Sequence, residues 1–386
     1  MRKSNLSWKI PLYKIYWDEE DIQNVINTIK RGMYWASGPN VEKFEQTIVE
    51  YVGRKFAVAF NSGTSALYAL LLACDFEAGS EVIVPSFTFI SSVNTVLLSG
   101  ARPIFADIEE KFYGLDPDSV QQKITKKTKA ILPTHYGGCP CLIKELRKIS
   151  DDNDILLIED AAESLGAEIF KEGKVGSFGD AAMFSFCGNK VVTTGEGGLI
   201  VTDTRKIYEK LRLIRSHGQL DIKSKFKSPQ TRKYITLGCN WRMSDITASL
   251  GLSQMKKIDK LIEMRRTNAA FLTSKLSSLP MLSTPISPSD RCHIYQMYTI
   301  RLRDDNFNRD KLREYLSENG IMSTIYFPSI HMNPFYKKEF GCKEGDLLIT
   351  EEVSNTILTL PMYPSLIIED MNYMAKTIAH AQTLKS

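Results

Sequence analysis

Between Ala57 and Asp203 the chain alternates short, nearly uncharged apolar runs with stretches of helical periodicity. The runs cover residues 57–60, 81–84, 103–106, 130–132, 155–158, 181–186 and 198–202. Apolar runs this short, bounded by turn residues, predict strands buried on both faces. Helices are predicted from Thr64, from Ser91 and near 142–149. Strands alternating with helices predict an α/β domain with a mostly parallel sheet, whose functional side chains gather at strand C-terminal ends and helix N-termini. After a long helix predicted through 246–266 the pattern changes. Residues 298–302 alternate like a strand, 309–318 are helical and 322–327 are strand-like. The expected organisation is a large α/β domain over 12–256 and a small α+β domain over 257–386, with residues 1–35 packing beside the smaller one.

Composition narrows the setting. Of 386 residues, 43% are hydrophobic and 24% charged, an ordinary globular balance with enough chain for a large core. The net charge of 49 − 45 = +4 is too small to suggest a nucleic-acid partner. Residues 82–101 carry no Asp, Glu or Lys, yet Pro85, Asn94 and Gly100 interrupt them, so no membrane span is expected. Seven scattered cysteines and no apolar leader predict a reducing, cytoplasmic setting. Cys139-Pro140-Cys141 has no second pair, so no metal site is expected.

The chemistry concentrates at two run ends. The run 155–158 leads into Glu159-Asp160-Ala161-Ala162-Glu163, and Lys190 closes Phe184-Ser185-Phe186-Cys187-Gly188-Asn189 before Thr193-Thr194-Gly195-Glu196-Gly197-Gly198. A partly desolvated lysine has a lowered pKa and an amine free for carbonyl chemistry. A carboxylate at the neighbouring strand end is what pyridoxal 5'-phosphate requires, because that cofactor is an electron sink only with its ring nitrogen protonated. Asn61-Ser62-Gly63-Thr64-Ser65 joins a strand to a helix, where amides and hydroxyls hold a phosphate. Ser185 offers a second phosphate contact, and Phe89 an aromatic face for stacking. Taken singly these residues are a surface lysine, a helix cap and a core phenylalanine; their order along the chain points to the cofactor.

Gly63-Thr64, the Glu-Asp-Ala-Ala-Glu segment, Phe-Ser-Phe-x-Gly-Asn-Lys, Thr-Thr-Gly-Glu-Gly-Gly and Leu237-Gly238-Cys239-Asn240-Trp241-Arg242-Met243 together resemble the DegT/DnrJ/EryC1/StrS sugar aminotransferases. The likeness runs from Ile10-Pro11-Leu12 to Leu360-Pro361-Met362-Tyr363-Pro364. It implies the fold type I aminotransferase architecture and a homodimer with shared active sites. By motif it makes Lys190 the Schiff-base lysine and Asp160 the partner of the ring nitrogen, with Phe89 stacked on the ring. Gly63, Thr64, Ser65 and Ser185 then hold the phosphate, and Asn240 reaches it from the partner subunit. Glu163 stands beside the cofactor and substrate where many members carry Gln or His. With Gly188-Asn189-Lys190 it resembles the GDP-perosamine synthase branch, which implies glutamate as donor and C4 of a nucleotide-linked 4-keto-6-deoxyhexose as acceptor.

Ile325-Tyr326-Phe327-Pro328-Ser329-Ile330-His331 differs from that branch and makes Tyr326 and His331 candidate substrate residues. Lys223 and Lys225, after His217-Gly218, are candidates for a pyrophosphate. Alternatives are an aminotransferase for a 3-keto or nucleotide-free sugar and a non-catalytic regulatory protein that keeps the cofactor. A dehydratase of the same family would carry histidine at 190. A lyase of the cysteine desulfurase kind would need a mobile catalytic cysteine, whereas Cys187 reads as a packed strand residue.

Overall fold

A computed structural model describes residues 8–220, 233–286, 288–303 and 308–381. Its main sheet has seven strands, in the spatial order Phe56–Phe60, Gly198–Thr202, Ala181–Ser185, Leu156–Asp160, Thr128–Ile131, Glu81–Pro85 and Arg102–Ala106. Gly198–Thr202 runs antiparallel to both its neighbours, and the other pairings are parallel. Each strand falls where an apolar run predicts one, within two residues at either end.

The runs lack charge because helices cover both faces of the sheet. Side chains alternate along a strand. Phe184 and Leu199 pack on one face with Phe44, Ile48 and Leu261, while Met183 and Ile200 pack on the other with Leu67, Leu70 and Leu211. A second, antiparallel sheet of Leu282–Ser283, Tyr298–Leu302 and Ile357–Leu360 lies with helices Ile258–Leu276, Arg309–Glu318 and Ile368–Ala381 around Tyr298, Leu316 and Ile378.

Three local expectations are corrected. The helix expected through 246–266 is two helices, Asp245–Met255 and Ile258–Leu276. The chain turns at Lys257, whose Nζ is held 2.6 Å from Asp18 Oδ1 and 3.0 Å from Asp21 Oδ2. Residues 322–327 form no regular strand; a lone bridge joins Thr324 to Thr359. Near the N-terminus Ile10 pairs with Ile321, but helix Glu19–Lys30 packs on helix Asp245–Met255 rather than on the smaller sheet. The cause is polar: buried Asp21 accepts hydrogen bonds from Ser253 Oγ at 2.6 Å and Gln254 Nε2 at 3.0 Å.

Asp245 ties the loop before Pro39–Val52 to the helix it begins. Fully buried, it accepts from Arg31 Nη2 at 2.6 Å, Asn40 N at 2.7 Å, Asn40 Nδ2 at 2.9 Å and Val41 N at 3.1 Å. A side chain at Gly38 would meet Asp245 Cγ at 2.6 Å, which explains the glycine. Asp245→Ala strands these donors, and the expected loss of unfolding free energy is about 3 kcal/mol in urea titrations at fixed protein concentration. A loss below about 1 kcal/mol, the worth of an exposed pair, contradicts this role.

Candidate active site

Asp160 and Ser185 end adjacent parallel strands in register, with Asp160 opposite Met183, so both stand at the C-terminal edge of the sheet. Close backbone approach builds the rest of that edge. A Cβ on Gly198 would sit 2.2 Å from Ser62 O, and one on Gly63 would sit 3.2 Å from Ser185 Cβ. Only glycine at 198 lets the start of its strand meet the start of helix Gly63–Ala73, and Gly63 leaves Ser185 close against the helix N-terminus.

Glu159 and Asp160 are both buried, and the strand points them to opposite faces. Glu159 accepts from His135 Nε2 at 3.0 Å and from the amides of Gly176, Phe178 and Gly179 at 2.8, 2.9 and 2.6 Å. Burial pushes its carboxyl up, but His135 and the amides outweigh that and hold it below the usual carboxylate range. Among the described residues the Asp160 carboxylate has only Ser92 Oγ at 2.6 Å on Oδ2 and Ala162 N at 3.1 Å on Oδ1. Among the described residues no Lys, Arg or His lies within ion-pair distance of it. Burial pushes its carboxyl above the usual range, against the pull of Ser92, Ala162 N and the charge of Lys190. One carboxylate is closed off by its partners; the other lacks a cation.

Lys190 sits in the turn before Gly198–Thr202, its side chain 13% exposed and its Nζ 3.5 Å from Glu163 Oε1. Glu163 Oε2 accepts from Gly137 N at 2.9 Å. Burial pushes the Glu163 carboxyl up, opposed first by Lys190 and then by the Gly137 amide. Phe89 caps helix Ile90–Leu98 and is 55% exposed, a large aromatic residue left partly to solvent. Tyr326 is half-buried, and Glu163 lies within electrostatic reach of its phenol, which burial raises first. An uncompensated buried carboxylate, a shielded lysine, an open helix N-terminus facing Ser185 and an exposed ring fit pyridoxal phosphate.

Other candidates are placed differently. Ser65 is buried, and its hydroxyl donates to Asn61 Oδ1 at 2.6 Å while Ser62 Oγ receives its amide, so both of its donors have partners within the turn. Thr64 next to it is exposed. Asn240 is exposed, bridged to Ser216, and neighbours Trp241, whose carbonyl accepts from Asn61 N at 2.9 Å. Lys223 and Lys225 lie outside the described residues. His331 is 1% exposed: Nδ1 lies 2.7 Å from Ser86 Oγ and Nε2 3.1 Å from Glu351 Oε1. Both ring nitrogens are spent on the protein, so the expected contact with a sugar gives way to a packing role. Ser86 is itself fully buried, so the end of this Ser-His-Glu line lies in the interior. Sequence reasoning missed Ser92 and Gly137, which hold Asp160 and Glu163 from other segments and carry no local signal.

The sequence pattern of the DegT/DnrJ/EryC1/StrS aminotransferase family matches this chain over residues 16–379. The chain belongs to that family. It is 33% identical to a GDP-perosamine synthase of Vibrio cholerae over 92% of this chain and 95% of the relative. Helicobacter pylori PseC, an aminotransferase involved in the biosynthesis of pseudoaminic acid, superposes with a TM-score of 0.91 at 28% identity, over 96% of this chain and 98% of that one. Escherichia coli GDP-4-keto-6-deoxy-D-mannose-3-dehydratase with bound hydrated PLP superposes with a TM-score of 0.88 at 26% identity, over 96% and 99%. The protein is a sugar aminotransferase, and its cofactor is pyridoxal 5'-phosphate. No helix among the described residues is long and apolar enough to cross a membrane.

The burial of His331 gives a direct check. His331→Asn is expected to leave the acceptor KM within about twofold and to lower unfolding stability by about 1–3 kcal/mol, the cost of stranding a buried polar partner. A raised acceptor KM at unchanged stability would return His331 to the substrate site.

Proposed function

We propose that this family member transfers an amino group from glutamate to C4 of a nucleotide-linked 4-keto-6-deoxyhexose. The observation that carries the chemistry is the buried Asp160, short of a cation, at the same sheet edge as the Lys190–Glu163 pair. The relative named GDP-perosamine synthase supports a nucleotide-linked acceptor. Gly188-Asn189-Lys190 with Glu163 supports C4. Glutamate as donor rests on the family resemblance. Seven free thiols and no disulfide support a cytoplasmic setting.

Each residue has a task. Lys190 would hold the cofactor covalently through Nζ and, once released, carry a proton away from the donor carbon and return it two bonds further on, to the carbon beyond the nitrogen. Glu163, 3.5 Å from that nitrogen, would keep the freed amine oriented. Asp160 would keep the cofactor's ring nitrogen protonated, because a buried anion stabilises the cation it faces. The helix N-terminus at Gly63 and Thr64, with Ser185, would hold the phosphate, and Phe89 would cover the ring. When bound, pyridoxal phosphate supplies the electron sink that accepts the charge developed at carbon.

The test is purified enzyme with glutamate and a panel of nucleotide-linked 3-keto and 4-keto sugars. Amination of a 4-keto-6-deoxy member is expected, with turnover abolished in Lys190→Ala. Turnover confined to 3-keto or nucleotide-free sugars would overturn the acceptor assignment. No turnover of any sugar, with cofactor bound, would favour a regulatory protein.

A homodimer with shared sites is part of the same reading, with Asn240 serving the neighbour's phosphate. Mixed dimers of Lys190→Ala and Asn240→Ala subunits are expected to regain activity, because one hybrid site has both residues intact. Confirmed hybrids without rescue would assign Asn240 to its own subunit's site, beside Asn61.

A further inference from the structure

A line of buried hydroxyls ends on Asp160. Ser92 Oγ lies 2.6 Å from Asp160 Oδ2, Thr88 Oγ1 lies 3.2 Å from Ser92 Oγ, and Thr134 Oγ1 lies 3.0 Å from Thr88 Oγ1. Their exposures are 1% for Ser92, 2% for Thr88, 4% for Thr134 and 3% for Asp160, so water does not compete for these protons. The four residues come from three segments. Thr88 precedes helix Ile90–Leu98, which carries Ser92; Thr134 follows strand Thr128–Ile131; Asp160 ends strand Leu156–Asp160.

The direction of the line follows from counting protons. An ionised carboxylate only accepts, and each hydroxyl owns one proton. Ser92 therefore spends its proton on Asp160 and accepts from Thr88. Thr88, having given its proton to Ser92, accepts from Thr134. Donors arranged head to tail in a dry interior polarise one another and strengthen the last bond, the one that reaches the anion. Ser92 is also the largest influence opposing the upward push of burial on the Asp160 carboxyl; Lys190 and His135 act in the same direction.

We propose that Ser92, backed by Thr88 and Thr134, is a positioning residue of the transamination site, fixing Asp160 as an oriented anion so that the proton it shares with the cofactor's ring nitrogen stays on the nitrogen. This rests on the reading of Asp160 as the ring-nitrogen partner. Without the Ser92 hydroxyl, Oδ2 loses its donor, and the buried carboxyl competes for that proton. Ser92 is 1% exposed and its hydroxyl proton is spent on Asp160, so it acts through that carboxylate. Its effect is therefore on the proton and on turnover, and not on substrate affinity.

The experiment uses holoenzyme loaded with pyridoxal phosphate labelled with 15N at the ring nitrogen, whose NMR shift reports protonation at a fixed pH. Ser92→Ala is expected to lower the ratio of protonated to unprotonated ring nitrogen about tenfold, the size of one hydrogen bond to a charge. A similar fall in kcat should accompany it, with both substrate KM values unchanged, and Ser92→Thr should recover both. Thr88→Val, which keeps the volume but removes the backing donor, should move the signal the same way by less. If Ser92→Ala does not fold or load, Thr88→Val decides. A wild-type 15N signal in the deciding variant, while Asp160→Asn shifts it, overturns the proposal and leaves the Asp160 reading intact. An unshifted signal in Asp160→Asn removes that reading, and the proposal with it, since the hydroxyl line would then end on a carboxylate that does not face the ring.

Discussion

The site depends on one buried carboxylate that no cation among the described residues pairs with directly. Removing Asp160 from water disfavours its charge, and the two donors it keeps reduce that penalty without cancelling it. A protein that needed this carboxylate only for structure would close it off, as it does with Glu159 one residue earlier. There three backbone amides and His135 complete the coordination. The contrast between neighbours on one strand separates an anion that serves the fold from one held ready for a positively charged ring nitrogen.

Holding that carboxylate in place requires stiff surroundings. The parallel strands fix the height of Asp160 against Ser185, and Gly198 lets two chain segments approach where any side chain would collide. Further out, Asp245 binds the loop before Pro39–Val52 to the helix after Asn240, and Asp21 draws helix Glu19–Lys30 onto the same helix. Each of these acids is buried and satisfied by several donors, a network that leaves few alternative packings.

Some residues that stand out in the sequence serve the scaffold. His331 follows an aromatic-rich segment and looks ready for a sugar, yet Ser86 and Glu351 occupy both its nitrogens. Burial pushes Glu351 up, but the amides of Gly345 and Leu347 and the His331 ring hold it below the usual range, so the pair stays ordered. Ser65 likewise turns inward to Asn61. In both cases the residue type suits function, and the direction of the side chain gives it partners within the protein.

The sequence by itself determined the strand order along the chain, the alternation with helices and the segment carrying Lys190, because buried strands and glycine turns leave local, periodic traces. The motif set also pointed to the cofactor, since an aspartate and a lysine at successive run ends are local facts. Only the tertiary structure decided that Glu163 faces Lys190, that Glu159 is closed and Asp160 open, and that Ser92 holds Asp160 across 68 residues of chain. Those outcomes depend on which face of a strand a side chain takes and on what distant segment meets it there. Periodicity within one segment carries no record of either.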